Sequence, residues 1–376
     1  MKRVFIAAIA LASSGSAVRA QQPASPTVGV AAGVDTASAR ARSVLALWRA
    51  YLADRPDSAR PSTYWSAADR RRTPDLQLPI LFASPTWGSD VRATVVDLAP
   101  AVPNDTATYV IRTLFVRADS AGLARVPVLV RAYAVREGAG WALASPAPRL
   151  TSDWMHTPVG RIAFVYPSTH SFDAAAAARS AAFVDSAARV LGVAPPASIT
   201  YYLAGSPREV ARVLGVDLAP AAGGRVYADD AILLSAQPVG AEWNAHDLAH
   251  VVAEPVAGRA PRFLNEGMAA WLGGWRGRTF AQLVRELDAD LTAHPTRTLD
   301  SLVAPHAWRD TIGYTGAAVL VRLAAARGPA ALARLMAPGD GTPASIAAAA
   351  AASLGIAPGR VNDVWRRAVQ RWATAP

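Results

Sequence analysis

Apolar residues recur at helical spacing at Val44, Leu45, Leu47, Trp48, Tyr51 and Leu52, which predicts a helix that Pro56 ends. The period then drops to two. Segments 94–98, 108–116, 126–135 and 141–144 read as strands rich in Val, Tyr and Phe, and Glu137-Gly138-Ala139-Gly140 turns the last two into a hairpin. The pattern restarts near residue 158. Residues 161–166 read as a strand, 173–191 as an Ala-rich helix bounded by Gly192, and 198–204 as a second strand. Ser206-Pro207-Arg208-Glu209 has the form of a helix N-terminus, with a capping residue, proline at the first helical position and Glu three residues on. Segments 225–227 and 231–235 pair as a hairpin around Asp229-Asp230. From residue 242 the pattern is helical, at 242–255, 262–272, 279–292, 314–326, 328–336, 343–353 and 359–372. The expectation is an α+β fold in two units, 39–150 and 155–376, the second having a small sheet lobe before a helical lobe.

The ends and the composition refine this picture. Lys2 and Arg3, the apolar run 4–11 and Val18-Arg19-Ala20 ahead of Gln21 have the layout of a signal peptide over 1–20. Its apolar run is too short to span a bilayer, as are the alanine runs at 174–178 and 346–352. The expected product is periplasmic or secreted, with no stable membrane anchor, and 21–38 is an irregular, flexible lead-in. There is no cysteine, so the chain must be held by burial alone and has no thiol for lipid attachment. The formal charge is +10, but Lys2 is the only lysine and the arginines are scattered. Without a basic stripe to follow phosphates, a nucleic-acid partner is not expected. Oligomeric state is left open.

The candidate chemistry lies in two adjacent helices. His246 and His250 stand four residues apart, on one helix face and within reach of one ion. In Pro261-Arg262-Phe263-Leu264-Asn265-Glu266-Gly267-Met268-Ala269-Ala270-Trp271, Glu266 interrupts an apolar face formed by Phe263, Leu264, Met268 and Trp271. An unpaired carboxylate there would be costly, and a metal would offset the cost. Two histidines and a carboxylate with one open position form the ligand set of a catalytic zinc site. Bland readings stand beside this one: two polar histidines on an amphipathic helix, or a helix-terminal carboxylate at Glu266. Glu254, one turn beyond His250, competes as third ligand.

H-x-x-x-H followed by N-E-G-x-A resembles the gluzincin metallopeptidases, in particular the peptidase MA-like group. The resemblance spans roughly 160–340 and is specific at 246–271. Tyr314-Thr315-Gly316-Ala317-Ala318, leading to Arg327-Gly328 and Leu335, is similar to that group's helical segment, where a tyrosine often sits near the metal. The resemblance implies a zincin-like domain at 155–376, Zn2+ on His246, His250 and Glu266, and a peptide or protein substrate. It also implies catalytic roles for Asp247 and Tyr314. Residues 39–150 resemble an NTF2-like or cystatin-like domain at the level of fold alone.

One position departs from the family pattern H-E-x-x-H: the second residue is Asp247. A glutamate there would be the general base. Aspartate is one methylene shorter, about 1.5 Å, against the roughly 2.6–3.2 Å at which a base must meet its proton. Asp247 is therefore either a base or a partner that orients a ligand. Tyr314 is either an oxyanion donor or a core ring. His306 and Asp310 are further candidates for orienting Glu266, Trp271 and Trp275 either border a cleft or pack, and His156 and His170 are expected at the surface. Strand 231–235, the last before the histidine helix, is expected to be the sheet edge that takes an extended peptide. The rival reading is a zinc-bearing peptide-binding module without catalysis. An HD-type phosphohydrolase is disfavoured because strands, not helices, precede His246, and a serine hydrolase because G-x-S-x-G is absent.

Overall fold

Trp48 anchors the first core. The computed structural model describes residues 28–54, 63–72, 91–118, 124–218, 224–228, 231–236, 240–303, 311–337 and 339–374. Helix α1 (Ala39–Asp54) buries Val44, Leu45, Trp48, Tyr51 and Leu52, and the Trp48 indole N–H donates to Thr113 Oγ1 at 2.9 Å. The face beneath is a sheet of β1 (Val28–Val30), β2 (Val91–Pro100), β3 (Thr108–Ala118), β4 (Ala124–Glu137) and β5 (Gly140–Ala144), ordered as in the chain. Strands β2 to β5 form the expected antiparallel meander. β1 adds in parallel to β2, so part of the segment read as an irregular lead-in is a strand. α2 (Ala67–Arg72) and α3 (Pro146–Leu150) complete this unit. The expected signal peptide, Pro56, Asp229-Asp230, His306 and Asp310 fall outside the described residues.

The second sheet contains β6 (Met155–Val159), β7 (Ile162–Tyr166), β8 (Ile199–Leu203), β10 (Gly224–Tyr227) and β11 (Ile232–Ser235), in the order β10-β11-β8-β7-β6. It is mixed: β7, β8 and β11 run parallel and the two outer strands antiparallel. This corrects one expectation. β11 pairs with β8 and is interior, which leaves β10 as the edge on that side. α4 (Ala174–Leu191) joins β7 to β8, with Asp173 capping its first turn and Gly192 closing it in the left-handed conformation. After α5 (Pro207–Val213) comes β9 (Val216–Leu218), which pairs with β4 of the first sheet.

The remainder is helical: α6 (Ala245–Ala257), α7 (Arg262–Gly273), α8 (Phe280–Ala293), α9 (Leu299–Val303), α10 (Thr311–Ala325), α11 (Pro329–Leu335), α12 (Pro343–Leu354) and α13 (Val361–Ala373). α10 is the axis of this lobe, buried without a break from Gly313 to Val321. α7 reaches it closely because Gly267 has no side chain: a Cβ there would lie 2.5 Å from the Ala317 Cβ. Gly273 likewise lets the end of α7 touch the backbone of Ala245, where a Cβ would come within 2.3 Å. The two glycines bring α6, α7 and α10 together around one point. Among the described residues no single helix is long and apolar enough to cross a membrane.

Candidate metal centre

Buried polar contacts fix the entry to α6. The Glu242 side chain is fully buried, and Oε1 accepts from His170 Nε2 at 2.8 Å and from the Asp173 N–H at 2.9 Å. Tyr201 donates to the Ala241 carbonyl at 2.8 Å. The side chain of His170, expected at the surface, is thus 5% exposed, because a buried carboxylate needs donors and the loop after β7 supplies one. His156 is exposed on β6, as expected. Asn244 then caps α6. Its side chain accepts from the Asp247 N–H at 3.2 Å and donates through Nδ2 to Asp247 Oδ2 at 2.6 Å. Asp247 is therefore the third residue of the helix, drawn back towards its N-terminus.

His246 and His250 project from α6 towards α7. Glu266 Oε2 lies 3.4 Å from His246 Nε2 and 3.5 Å from His250 Nε2. The ligand atoms of all three residues lie within 4.8 Å of one another. The opposite ring nitrogens settle the tautomers. His246 Nδ1 meets the Gly274 carbonyl at 2.8 Å, and His250 Nδ1 meets Asn265 Oδ1 at 2.7 Å. Asn265 Nδ2 donates to the Ala257 carbonyl at 3.1 Å, which turns its oxygen towards His250. Both partners only accept, so both protons sit on Nδ1 and both Nε2 lone pairs face Glu266. With both imidazoles neutral three acceptor atoms converge, so a positive charge must lie among them, as protons taken up on Nε2 or as a metal ion.

The electrostatics of the site follow from this convergence. Burial pushes the Glu266 carboxyl up, but His246 and His250 more than reverse it and hold the group well below the usual carboxylate range. Burial pulls the His250 imidazole down, while Glu266, Asp247 and Asn265 carry it above its ordinary value. Asp247 is raised by burial and by Glu266, against the opposing pull of both histidines and of Asn244.

These residues line an open cavity of about 650 Å³ that Asp247, Trp275, Arg276 and Tyr314 share with the His-His-Glu group. Val226 and Ala228, in and just after edge strand β10, form another part of its wall. Tyr314 is buried, with its ring centroid 4.6 Å from that of Trp275 and 6.2 Å from that of His246. Trp275 also meets His246 edge-on at 4.7 Å, so it is a cleft residue, whereas Trp271 packs against the core. Glu254 is no part of the group. Its carboxylate turns down to Gly258, where a Cβ would fall 1.7 Å from Oε1.

Two parts of the centre went unread in the sequence. The Gly274 carbonyl, presented by a glycine at φ 74°, has no local pattern. Asn265 did have a signal, since it stands beside Glu266 in the N-E-G motif. Asn265→Ala is expected to weaken metal binding about 10–100-fold, the usual cost of removing a group that orients a histidine ligand. Helical content should be unchanged by circular dichroism, and competition against a chromophoric chelator would measure the loss. No known protein-family model matches the chain and no curated protein matches it; the buried His246, His250 and Glu266 group stands as a site able to hold a metal ion on its geometry.

Proposed function

We propose that the chain is an exported zinc-dependent metallopeptidase of the gluzincin type, a zincin-like domain preceded by an NTF2-like one. One observation carries the reading: two imidazoles with their Nδ1 protons tied outward, and a carboxylate from the next helix, converge on an open cavity. The donor set fits zinc. Two nitrogens and one oxygen suit a borderline-soft cation, whereas calcium and magnesium take oxygen ligands.

His246 and His250 through Nε2, and Glu266 through Oε2, would hold the ion. Zinc at such a site supplies Lewis acidity and makes water acidic enough to attack a carbonyl at neutral pH. The chain's own groups do the rest. Asn244 occupies Oδ2 of Asp247, which leaves Oδ1 to receive the proton that the attacking water gives up and to return it to the leaving amine. Tyr314 donates its phenol to the carbonyl oxygen as charge builds there. Edge strand β10 orients an extended peptide by backbone pairing, with Val226 and Ala228 in the cavity wall. The same Asn244–Asp247 contact favours a second reading, in which Asp247 is only a cap and the domain holds zinc and binds peptides without cutting them.

Purified full-length protein incubated with a mixed peptide library separates the two. New termini are expected by mass spectrometry, lost with a chelator and restored by zinc. A zinc-loaded protein that leaves the library intact points to the binding module.

A further inference from the structure

We infer that the cleft selects acidic peptides and that Arg276 is the residue that recognises them; this rests on the peptidase reading for the class of ligand. Arg276 sits at the tip of a two-residue turn. Trp275 and Arg278 exchange both backbone hydrogen bonds at 3.0 Å, and the two central residues have φ of 49° at Arg276 and 76° at Gly277. A turn with positive φ at both central positions favours Gly, Asn or Asp, and a long side chain there costs stability. The base of the turn is fixed. Arg278 donates to Glu286 at 2.6 Å and to Thr311 at 3.0 Å, which ties the turn to α8 and to the start of α10.

Arg276 itself has no such duty. It is exposed, and its guanidinium carbon lies 5.5 Å from the centroid of the Trp275 ring. Among the described residues it makes no ion pair. A single indole thus separates its charge from the His246 imidazole, since Trp275 touches both. An extended chain advances about 3.4 Å per residue, so Arg276 faces a side chain about one to three positions from the bond at the metal. The cavity balance points the same way. Glu266 is engaged by the histidines and by Arg262, so Asp247 is the carboxylate that remains in the wall beside Arg276. The formal charge of +10 adds a long-range attraction for anions. A guanidinium held in the glycine region of backbone space, 5.5 Å from the Trp275 centroid and without an ion pair among the described residues, is arranged at the rim of the cleft to meet a carboxylate.

The test measures equilibrium binding of two end-blocked, fluorescently labelled peptides, alike except that one carries Glu where the other carries Gln. The full-length, zinc-supplemented protein is compared with Arg276→Gly and Arg276→Glu by anisotropy. Wild type is expected to bind the Glu peptide about 10-fold more tightly. Arg276→Gly should abolish that preference while melting no lower than wild type, because glycine suits the turn. Arg276→Glu should favour Gln over Glu. Equal affinities for the two peptides in wild type would overturn the inference, as would an undiminished preference in Arg276→Gly or no binding of either peptide. Cleavage followed in the same samples decides the other question separately: selective binding without cleavage keeps the inference and removes the peptidase reading.

Discussion

His246→Ala is expected to abolish stoichiometric zinc. Wild type purified without chelator should carry about one zinc per chain, the composition of a three-ligand site with an open position. The variant removes one of three ligands and leaves Glu266 Oε2, 3.4 Å from the lost nitrogen, facing a void beside Trp275. Losing a partner that merely orients a ligand costs about 10–100-fold in affinity, so losing the ligand itself should cost at least about 100-fold. Elemental analysis after dialysis reads the result. Folding should survive, because α6 is also held by Leu248, Ala249, Val251 and Val252 in the core. A variant that kept as much zinc as wild type would sink the assignment of the centre.

Asp247 should show the next largest effect. Asp247→Asn keeps the size of the side chain and removes its capacity to accept a proton. It is expected to lower kcat/KM by about 10²–10⁴ with zinc content unchanged. Asp247→Glu should raise turnover by extending the carboxylate about 1.5 Å beyond the point where Asn244 holds it. Since a longer side chain also loosens the cap of α6, melting temperature belongs in the comparison: higher turnover with a lower midpoint would mean that reach, not rigidity, limits the native enzyme. If wild type and both variants retain zinc and none cleaves the library, the peptide-binding reading takes its place.

What could be read from the chain followed from the range of the interactions involved. Most helices from α6 onward were legible because their apolar residues recur at helical spacing or, in α10, run almost unbroken, whereas the five-residue α9 was not read; the His-His-Glu group was legible because its spacing is local to two adjacent helices. Its supports were harder to see. His170 is buried by a glutamate 72 positions away, and nothing around residue 170 announces that partner. The order of β10 and β11 depends on which of them meets β8, a choice made by tertiary pairing and not by the hairpin. β9 is three residues, Val-Asp-Leu, too short for any alternation to register, and its partner lies far back in the chain. Arg276 reads as a surface arginine until its φ and its neighbours are known.

Strand β9 also bears on how the protein acquires its shape. Along one side β4 is paired at 133–137 by β5, while Leu129 and Val130 pair with β9. Arg131 and Asp217 form an ion pair at this seam. During synthesis β4 leaves the ribosome with part of that side open, and it stays so until the chain has run through β6, α4, β8 and α5. The nascent N-terminal unit therefore carries an exposed strand edge, the feature that invites pairing between chains. Closure of that edge waits for the segment leading into the half that carries the His-His-Glu group, so the completed molecule should lose both sheets in one cooperative transition and not melt as two separate bodies.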